Sequence, residues 1–163
     1  MYKGIDMRAL EISEFGLDKL TVVERGTPSP GKGEVLVRVH AWSLNYRDIM
    51  IVRGLYNPKM KLPATPFSDA AGEVVKVGEG VTRLSPGDRV MSVFMPKWIS
   101  GEPTEEAHRS ALGAGGAGVA AEELVIDEDA MVKIPDYLTF EEAATLPCAG
   151  VTAWHALISE GHL

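Results

Sequence analysis

The sequence predicts a mainly β fold, a barrel or sandwich, that is followed by a C-terminal helical segment. Short apolar stretches recur between turns rich in Gly and Pro, as in small antiparallel β domains. Residues 35–42 alternate with a period of two, which indicates a strand with one face inward. After Thr139 the spacing of apolar residues becomes helical.

The predicted elements follow one another in chain order. A turn at Gly16 separates the first two strands, and a Pro-Ser-Pro-Gly turn at residues 28–31 precedes the third. A short helical turn is predicted at residues 48–52, and the polar residues 127–129 form a tight turn before the last strand. The strands are expected at residues 7–12, 20–25, 35–44, 74–77, 89–94, 124–126 and 131–134.

The last segment begins with a capping box, in which Thr139 and Glu142 satisfy free N–H groups of the first helical turn. Apolar residues at helical spacing continue to Ile158, and Pro147 interrupts them because proline removes a backbone hydrogen bond. We therefore expect one or two helices in residues 139–163, after a β domain in residues 1–138.

Composition restricts the size of the fold and the class of partner. With 163 residues, 45% of them hydrophobic, the chain is long enough for one well-packed domain. Its net charge of −7, with no basic cluster, argues against nucleic acid and membranes as partners. Because there is no apolar run of membrane-spanning length and no leader, we expect a soluble, cytoplasmic protein. The single cysteine, Cys148, excludes an internal disulfide.

The glycine-rich stretch at residues 113–118 matches the dinucleotide-binding pattern G-x-G-x-x-G. That pattern binds pyrophosphate where a strand precedes it and a helix follows, because the helix N-terminus holds the phosphates. Here a polar loop at residues 102–110 precedes the pattern, and residues 119–126 are typical of a strand. We therefore interpret the stretch as a loop of the β domain and not as a cofactor site.

Three stretches carry a resemblance to a known family. Residues 62–90 place Asp69 among small residues, followed by a strand, a Gly-Glu-Gly turn and a second strand that opens with Pro-Gly-Asp. Residues 45–48 read Asn-Tyr-Arg-Asp, and residues 146–152 read Leu-Pro-Cys-Ala-Gly-Val-Thr. Together they resemble the N-terminal catalytic domain of the medium-chain dehydrogenase/reductase family, which includes zinc-type alcohol dehydrogenases and quinone oxidoreductases.

The resemblance implies a GroES-like, partly open β-barrel with a C-terminal helical segment. In the family this segment leads to a Rossmann nucleotide-binding domain, which would begin just after residue 163. The chain would therefore be a fragment of about half the family's usual length, and we expect it to be inactive alone. The complete enzyme would transfer hydride from NADPH or NADH to a small-molecule carbonyl, enone or quinone.

The same resemblance argues against a catalytic zinc ion. Zinc members carry Gly-His-Glu-x-x-Gly where this chain reads Phe-Ser-Asp-Ala-Ala-Gly, so Ser68 replaces the histidine ligand. Asn45 replaces a cysteine ligand, and only Cys148 matches the third ligand. Residues 95–120 also lack the cysteines of the family's structural zinc lobe. Because one thiolate beside a carboxylate is a poor tetrahedral site, we predict no metal site and a zinc-independent enzyme.

Three residues are candidates for catalysis. The Asn45 amide could orient a nicotinamide carboxamide or a substrate carbonyl, or it could cap the helix that follows. The Tyr46 hydroxyl could donate a proton to an oxyanion, or its ring could be an ordinary surface aromatic. Asp48 would fix this loop, a role that is compatible with an acidic residue at a helix N-terminus.

Further candidates are expected around a substrate cleft. Thr152 matches the family's threonine that approaches the nicotinamide, unless it is a plain helix residue. Cys148 could line the cleft or be a small buried hydrophobe. Asp69 is expected to be buried and paired with Arg47 or Arg89, because an unpaired buried carboxylate is costly. The expected cleft residues are Tyr56, Ser68, Asp69 and Cys148.

Two other classes of function stay open at this point. The chain could come from a zinc alcohol dehydrogenase that holds its metal through unusual ligands. It could also be a binding or structural module, because GroES-like domains build ring-forming co-chaperonins. Apolar side chains along residues 140–158, which in the family pack partly against the nucleotide-binding domain, lead us to expect a homo-oligomer.

Overall fold

The structure is a computed structural model that describes residues 7–114 and 117–163. Its strands form two antiparallel sheets, one of two strands and one of five. The seven predicted strands are present, and the mainly β prediction is confirmed. They are β1 (Met7–Ile12), β2 (Leu20–Arg25), β3 (Glu34–Ser43), β4 (Asp69–Val77), β5 (Arg89–Ser92), β6 (Glu123–Asp127) and β7 (Met131–Lys133).

The helices are short and lie between or after the strands. They are α1 (Tyr46–Val52), α2 (Glu105–Arg109), α3 (Phe140–Ala144) and α4 (Val151–Trp154). Single 3-10 turns cover Leu17–Lys19 and Glu128–Ala130. The segment after α3 is helical but irregular from Leu146 to Glu160, with π-helical turns at Leu146–Gly150 and His155–Glu160.

Some boundaries differ from the sequence prediction. α1 begins two residues earlier, because the Asp48 carboxylate accepts a hydrogen bond from the Asn45 N–H at 2.8 Å and closes the first turn. β4 begins at Asp69 instead of residue 74, because its first residues pair with β3. The predicted polar loop at residues 102–110 contains α2, which begins where the Thr104 hydroxyl accepts a hydrogen bond from the Ala107 N–H.

The five-stranded sheet is curled into a partly open barrel. Its strand order is β6-β3-β4-β5-β7, so β6 and β7 lie at opposite edges, yet only the turn Glu128–Ala130 connects them along the chain. Such a connection spans at most about 14 Å, whereas opposite edges of a flat five-stranded sheet lie about 19 Å apart. The sheet must therefore curl, and in the described part of the chain no ladder between β6 and β7 closes it.

Apolar side chains from the strands form the main core. β-branched residues are frequent in it, because they fit a pleated surface that other strands cover. Full burial of one such side chain contributes about 1.5–3 kcal/mol. The largest buried members of this core are Val35, Val37, Val74, Leu84, Val90, Leu112, Val119, Leu124, Ile126 and Met131.

Two smaller clusters fix the helices that flank the candidate site. One ties α1 to β1 and consists of Ile12, Ile51, Val52 and Met60. The other seats α3 on the sheet and consists of Ala41, Ala71, Ile134, Ala143 and Ala144. Because most of this second cluster is alanine, the backbone of α3 lies close to β3 and β4. This approach brings the segment after α3 to the first residues of β4.

The helical segment changes character after Pro147. The predicted capping box starts α3, since the Thr139 hydroxyl accepts from the Glu142 N–H and the Glu142 carboxylate accepts from the Thr139 N–H. Pro147 is buried in the first turn of the next helical stretch, where its missing N–H would have no helical partner anyway. From residue 151 onward every side chain is exposed. No described helix is long and apolar enough to cross a membrane.

Packing accounts for two glycines of the stretch at residues 113–118. Gly113 has a φ of 75°, and a side chain there would meet the backbone of Phe67. A Cβ at Gly118 would collide with the carbonyl oxygen of Thr65. Strand β6 is the next element, so the helix that a dinucleotide fingerprint requires does not follow. Residues 115–116 of the stretch lie outside the described residues.

We expect Gly118→Ala to lower the free energy of unfolding by about 1–3 kcal/mol, because the added methyl group overlaps backbone that cannot move aside. Urea denaturation measures this change. Gly31→Ala is the matched control, since its Cβ would meet only the flexible Glu34 side chain. If the two variants were equally stable, the packing role of Gly118 would be refuted.

Candidate active site

Three segments of the chain lie around one point of the fold: the start of α1, the first residues of β4 and the turn Leu146–Gly150. One hydrogen bond joins the last two, because the Cys148 N–H donates to Asp69 Oδ2 at 3.0 Å. The Asp48 carboxyl and the Cys148 thiol each respond electrostatically to Asp69 and to Arg47. The four side chains therefore form one cluster, which we call the polar cluster.

Asp69 is fully buried, and neutral donors stabilise its carboxylate. Ser68 Oγ donates to Asp69 Oδ1 at 2.5 Å, while the Cys148 N–H donates to Oδ2. Ser92 of β5 holds the same turn, since its hydroxyl donates to Ser68 O and accepts from the Ala70 N–H. Hydrogen bonds to a charged group contribute about 1.5–3 kcal/mol each. The carboxylate is thus fixed by three different segments of the fold.

The predicted ion pair between Asp69 and Arg47 or Arg89 is wrong. Arg89 donates to Leu138 O at 2.5 Å, and Arg47 donates to Leu112 O at 2.7 Å. Among the described residues, Asp69 accepts only from the Ser68 hydroxyl and the Cys148 N–H. Both guanidinium groups therefore bind backbone carbonyls that are far away in the chain, which residue type alone does not reveal.

Phe67, the residue before Ser68, has a φ of 71°. This left-handed conformation costs a non-glycine residue about 1–3 kcal/mol, and glycine stands at the corresponding position of the zinc-type pattern. The neighbouring loop holds the conformation, because the Val119 N–H donates to Phe67 O at 3.1 Å. The strained turn places the Ser68 hydroxyl beside Asp69.

Asn45 and Asp48 form the first turn of α1. Asp48 is only 4% exposed, and its Oδ2 accepts from the Asn45 N–H. Burial raises the pKa of the Asp48 carboxyl, an effect that the Asn45 hydrogen bond and the Arg47 charge offset only in part. Within the described residues, Asp48 Oδ1 and Asn45 Nδ2 are buried without a hydrogen-bond partner. Asn45 is therefore the N-cap of α1, and its buried amide nitrogen is left without a partner among the described residues.

Arg47 is a site residue that sequence reasoning treated only as a possible partner of Asp69. Its guanidinium carbon lies 4.2 Å from the ring centroid of Phe94 and 5.5 Å from that of Tyr56. The guanidinium therefore contacts two aromatic rings, and that of Tyr56, which is 49% exposed, lies on the solvent side. The only sequence signal for Arg47 was its place in the Asn-Tyr-Arg-Asp motif, because Phe94 and Leu112 are distant in the chain.

An apolar cleft of about 480 Å³ opens beside the polar cluster, a volume that suits a small organic ligand. The polar side chains among its described lining residues are Ser92, Cys148 and Thr152, and the indole N–H of Trp98 already donates to Gly101 O. The apolar lining residues are Met91, Val93, Phe94, Met95, Trp98, Val132, Pro147 and Val151. The cleft therefore has a mostly apolar lining, with a few polar groups at the end where Cys148 lies.

The structure brings some predicted site residues together and leaves others apart. Cys148 and Thr152 line the cleft, and Ser68 and Asp69 lie directly behind Cys148. Tyr46, by contrast, is 82% exposed on α1 and does not line the cleft in the described part of the chain. A direct contact between the Tyr46 hydroxyl and a ligand in the cleft would require a movement of this side chain.

The side chains present do not fit the three-ligand zinc site of the zinc-type enzymes. Asn45 and Ser68 offer only neutral groups, and both oxygens of Asp69 already accept hydrogen bonds. Burial raises the pKa of the Cys148 thiol, and the Asp69 charge acts in the same direction, which disfavours the thiolate that zinc requires. Among residues 7–114 and 117–163, no three His, Cys, Asp or Glu side chains gather closely enough to hold a metal ion.

Comparison with known proteins places this geometry in a family. Residues 31–136 match the model of the alcohol dehydrogenase GroES-like domain. Over 143 residues the chain is 46% identical to a zinc-type alcohol dehydrogenase-like protein of Schizosaccharomyces pombe, which covers 87% of this chain and 41% of that protein. It is 37% identical over 155 residues to the chloroplastic quinone oxidoreductase of Triphysaria versicolor, which covers 93% of this chain and 42% of that protein.

A solved structure gives the same picture. The quinone oxidoreductase of Escherichia coli, crystallised with NADPH, superposes with a TM-score of 0.71 at 27% identity and covers 92% of this chain and 40% of that one. The chain therefore spans about two fifths of each of these relatives. It is similar both to a protein named for zinc and to proteins named for quinones, so the residues of the site decide between these chemistries.

The buried Asp48 carboxyl predicts an unusual pH dependence of stability. Because its pKa in the folded protein is raised above the ordinary 3.8, its contribution to stability is full below that value and is lost as pH rises through the raised pKa. Asp48→Asn keeps an oxygen acceptor for the Asn45 N–H and removes the ionisation. We expect the variant to be more stable than the wild type at pH 7 and to lose this advantage in acid, as measured by urea denaturation across pH.

The exposed Asp136 provides the control, since Asp136→Asn should change stability little at either pH. An Asp48→Asn variant whose stability relative to the wild type did not depend on pH would contradict the assignment of a desolvated carboxyl.

Proposed function

Since the chain belongs to the alcohol dehydrogenase GroES-like domain family, we propose that it is the catalytic part of a zinc-independent oxidoreductase. The proposed reaction is the transfer of hydride from NADPH or NADH to an electron-poor carbonyl, enone or quinone. A proton joins the substrate oxygen, so the products are the reduced substrate and the oxidised nicotinamide. The hydride is the only chemistry that the cofactor has to supply.

One observation supports this proposal above the others: the apolar cleft reaches the polar cluster at Cys148, and within residues 7–114 and 117–163 no three His, Cys, Asp or Glu side chains gather closely enough there to hold a metal ion. In such a water-poor cleft, donors stabilise a developing negative charge more strongly than they would in water. Thr152 lines the cleft and is assigned to the nicotinamide side. The buried Asn45 amide, which has free N–H groups, would bind a carboxamide or a substrate carbonyl.

The remaining candidates support these two residues in the proposed reaction. Asp48 holds the backbone of Asn45 in place through its hydrogen bond. Tyr46, which is open to solvent, would supply the proton that joins the substrate oxygen. Tyr56 would shape the outer end of the site, and Cys148 would contribute a neutral thiol to the cleft wall.

A fusion protein tests this function. We expect no turnover from the 163-residue chain alone, because the proposed cofactor site needs a nucleotide-binding domain as well. In the fusion, residues 1–163 replace the part of the Escherichia coli quinone oxidoreductase that they match, and the rest of that enzyme is kept. We expect the fusion to oxidise NADPH with benzoquinone, which is measured as the loss of nicotinamide absorbance. The intact Escherichia coli enzyme is the positive control, and the part of it that is used in the fusion, produced alone, is the negative control. A folded fusion that binds NADPH but reduces neither quinone, enone nor aldehyde would refute the proposal.

Zinc independence is tested separately by elemental analysis. After incubation with zinc and dialysis, the purified chain should carry far less than one zinc ion per chain. The double variant Asn45→Cys, Ser68→His restores the two missing ligands beside Cys148, and we expect it to retain zinc. About one zinc ion per wild-type chain, lost in Cys148→Ser, would instead favour a zinc-dependent alcohol dehydrogenase with unusual ligands.

The exposed apolar residues of the C-terminal segment lead us to propose that this chain forms homo-oligomers. Trp154 is 66% exposed, and Leu157 is 52% exposed. Burial of about 500 Å² of such surface would contribute on the order of 12 kcal/mol before entropic costs. Sedimentation of the chain at a concentration on the order of tens of micromolar should therefore show association, and Trp154→Glu should abolish it. Val22→Glu on β2, which is 64% exposed, is the control, and a wild-type monomer would contradict the proposal.

A further inference from the structure

Arg47 carries buried polar atoms that have no hydrogen-bond partner in the part of the chain that the structure describes. Its Nη2 donates to Leu112 O at 2.7 Å. Its Nε and Nη1, however, are buried without a hydrogen-bond partner among the described residues. Buried donors without partners cost stability, so they are rare in folded proteins, and an unmodelled ligand or water is a common explanation.

The position of Arg47 connects these free donors to the cleft. The guanidinium lies 4.2 Å from the ring centroid of Phe94, and Phe94 lines the cleft. Cys148 lines the cleft too, and its thiol responds to the charge of Arg47. The guanidinium therefore lies behind the cleft wall that Phe94 and Cys148 form. Arg47 itself is not a lining residue, so a ligand in the cleft would reach its buried nitrogens when the Phe94 side chain moves aside.

The charge of Arg47 is only partly compensated. Among the described residues Arg47 forms no ion pair, although Asp48 and Asp69 belong to the same polar cluster. These two carboxylates weaken the field of the guanidinium, so a ligand with a permanent localised charge, such as a carboxylate, is disfavoured. An uncharged oxygen that becomes negative during the reaction benefits from the guanidinium without being repelled at the start.

We infer that the free nitrogens of Arg47 bind the carbonyl oxygen of the substrate and stabilise the negative charge that develops there. In this role the guanidinium takes the place of the metal ion of the zinc-type enzymes. The inference rests on the proposed function and narrows its substrate class to quinones and enones with an apolar body. Hydride arrival at the ring or at the β-carbon of these compounds produces a delocalised phenolate or enolate oxygen.

A binding experiment on the 163-residue chain tests the inference without cofactor or turnover. 4-Nitrophenolate resembles a singly ionised hydroquinone, and nitrobenzene is its uncharged counterpart. Calorimetric titration at a pH at which the phenol is ionised measures both affinities. We expect Arg47→Met to weaken phenolate binding about tenfold or more while nitrobenzene binding changes little.

Two further variants make the result specific. Arg89→Met is the matched control, because Arg89 also stacks on an aromatic ring, at 4.7 Å from Phe140, and also donates to a backbone carbonyl. It should leave both affinities unchanged. Arg47→Lys keeps the charge but not the planar group, so it should retain part of the phenolate affinity even if Arg47→Met folds poorly.

The inference would be overturned if the wild type did not bind 4-nitrophenolate, or if Arg47→Met weakened the binding of 4-nitrophenolate and of nitrobenzene equally. It would also be overturned if Arg47→Lys bound 4-nitrophenolate as weakly as Arg47→Met does while circular dichroism showed that the variant is folded. None of these results would bear on hydride transfer, which the fusion protein tests by itself.

Discussion

The buried carboxylate of Asp69 is the constraint on which the rest of this site depends. A carboxylate that leaves water must be given donors, because an unpaired one would cost several kcal/mol. The fold supplies the Ser68 hydroxyl and the N–H of Cys148. Since these donors come from the start of β4 and from the turn after α3, the need to satisfy one side chain fixes two distant segments against each other. The Cys148 end of the apolar cleft is the result.

Several features of the site cost stability, and together they indicate function. Phe67 adopts a left-handed backbone conformation, Asp48 is buried with one oxygen unpaired, and Arg47 has two buried nitrogens without partners. Among the described residues, the buried side-chain N and O atoms without a hydrogen-bond partner all belong to Asn45, Arg47 and Asp48. Backbone strain and unpaired buried polar groups that occur together are typical of ligand-binding sites.

The electrostatics of the site bear on whether a metal ion or a guanidinium fits beside the cleft. A metal ion and a guanidinium both place positive charge where an oxygen becomes negative. Zinc binds a cysteine as the thiolate, whereas burial and then the Asp69 charge raise the pKa of the Cys148 thiol and favour its neutral form. A guanidinium needs only aromatic faces and a carbonyl to hold it, which Phe94, Tyr56 and Leu112 provide. In the role that we propose for it, Arg47 would therefore need different neighbours from those of a zinc ion.

Local patterns in the sequence determined the elements of this protein. The period-two alternation of β3, the turns between strands and the Thr139–Glu142 capping box are short-range features, so they could be predicted without a fold. The replacement of two zinc ligands by Asn45 and Ser68 was likewise visible in the sequence. The short helix α2 was missed, because five residues with one cap give little periodic signal.

Only the tertiary structure decided which side chains meet. Asp69 was expected beside an arginine, but the fold gave it a hydroxyl and a backbone N–H, because the small residues under α3 let that backbone approach closely. Arg47 obtained its contacts from residues 94 and 112, which no local pattern links to it. Contacts between distant segments depend on how closely whole elements pack, and that distance is set by the side chains of every layer together.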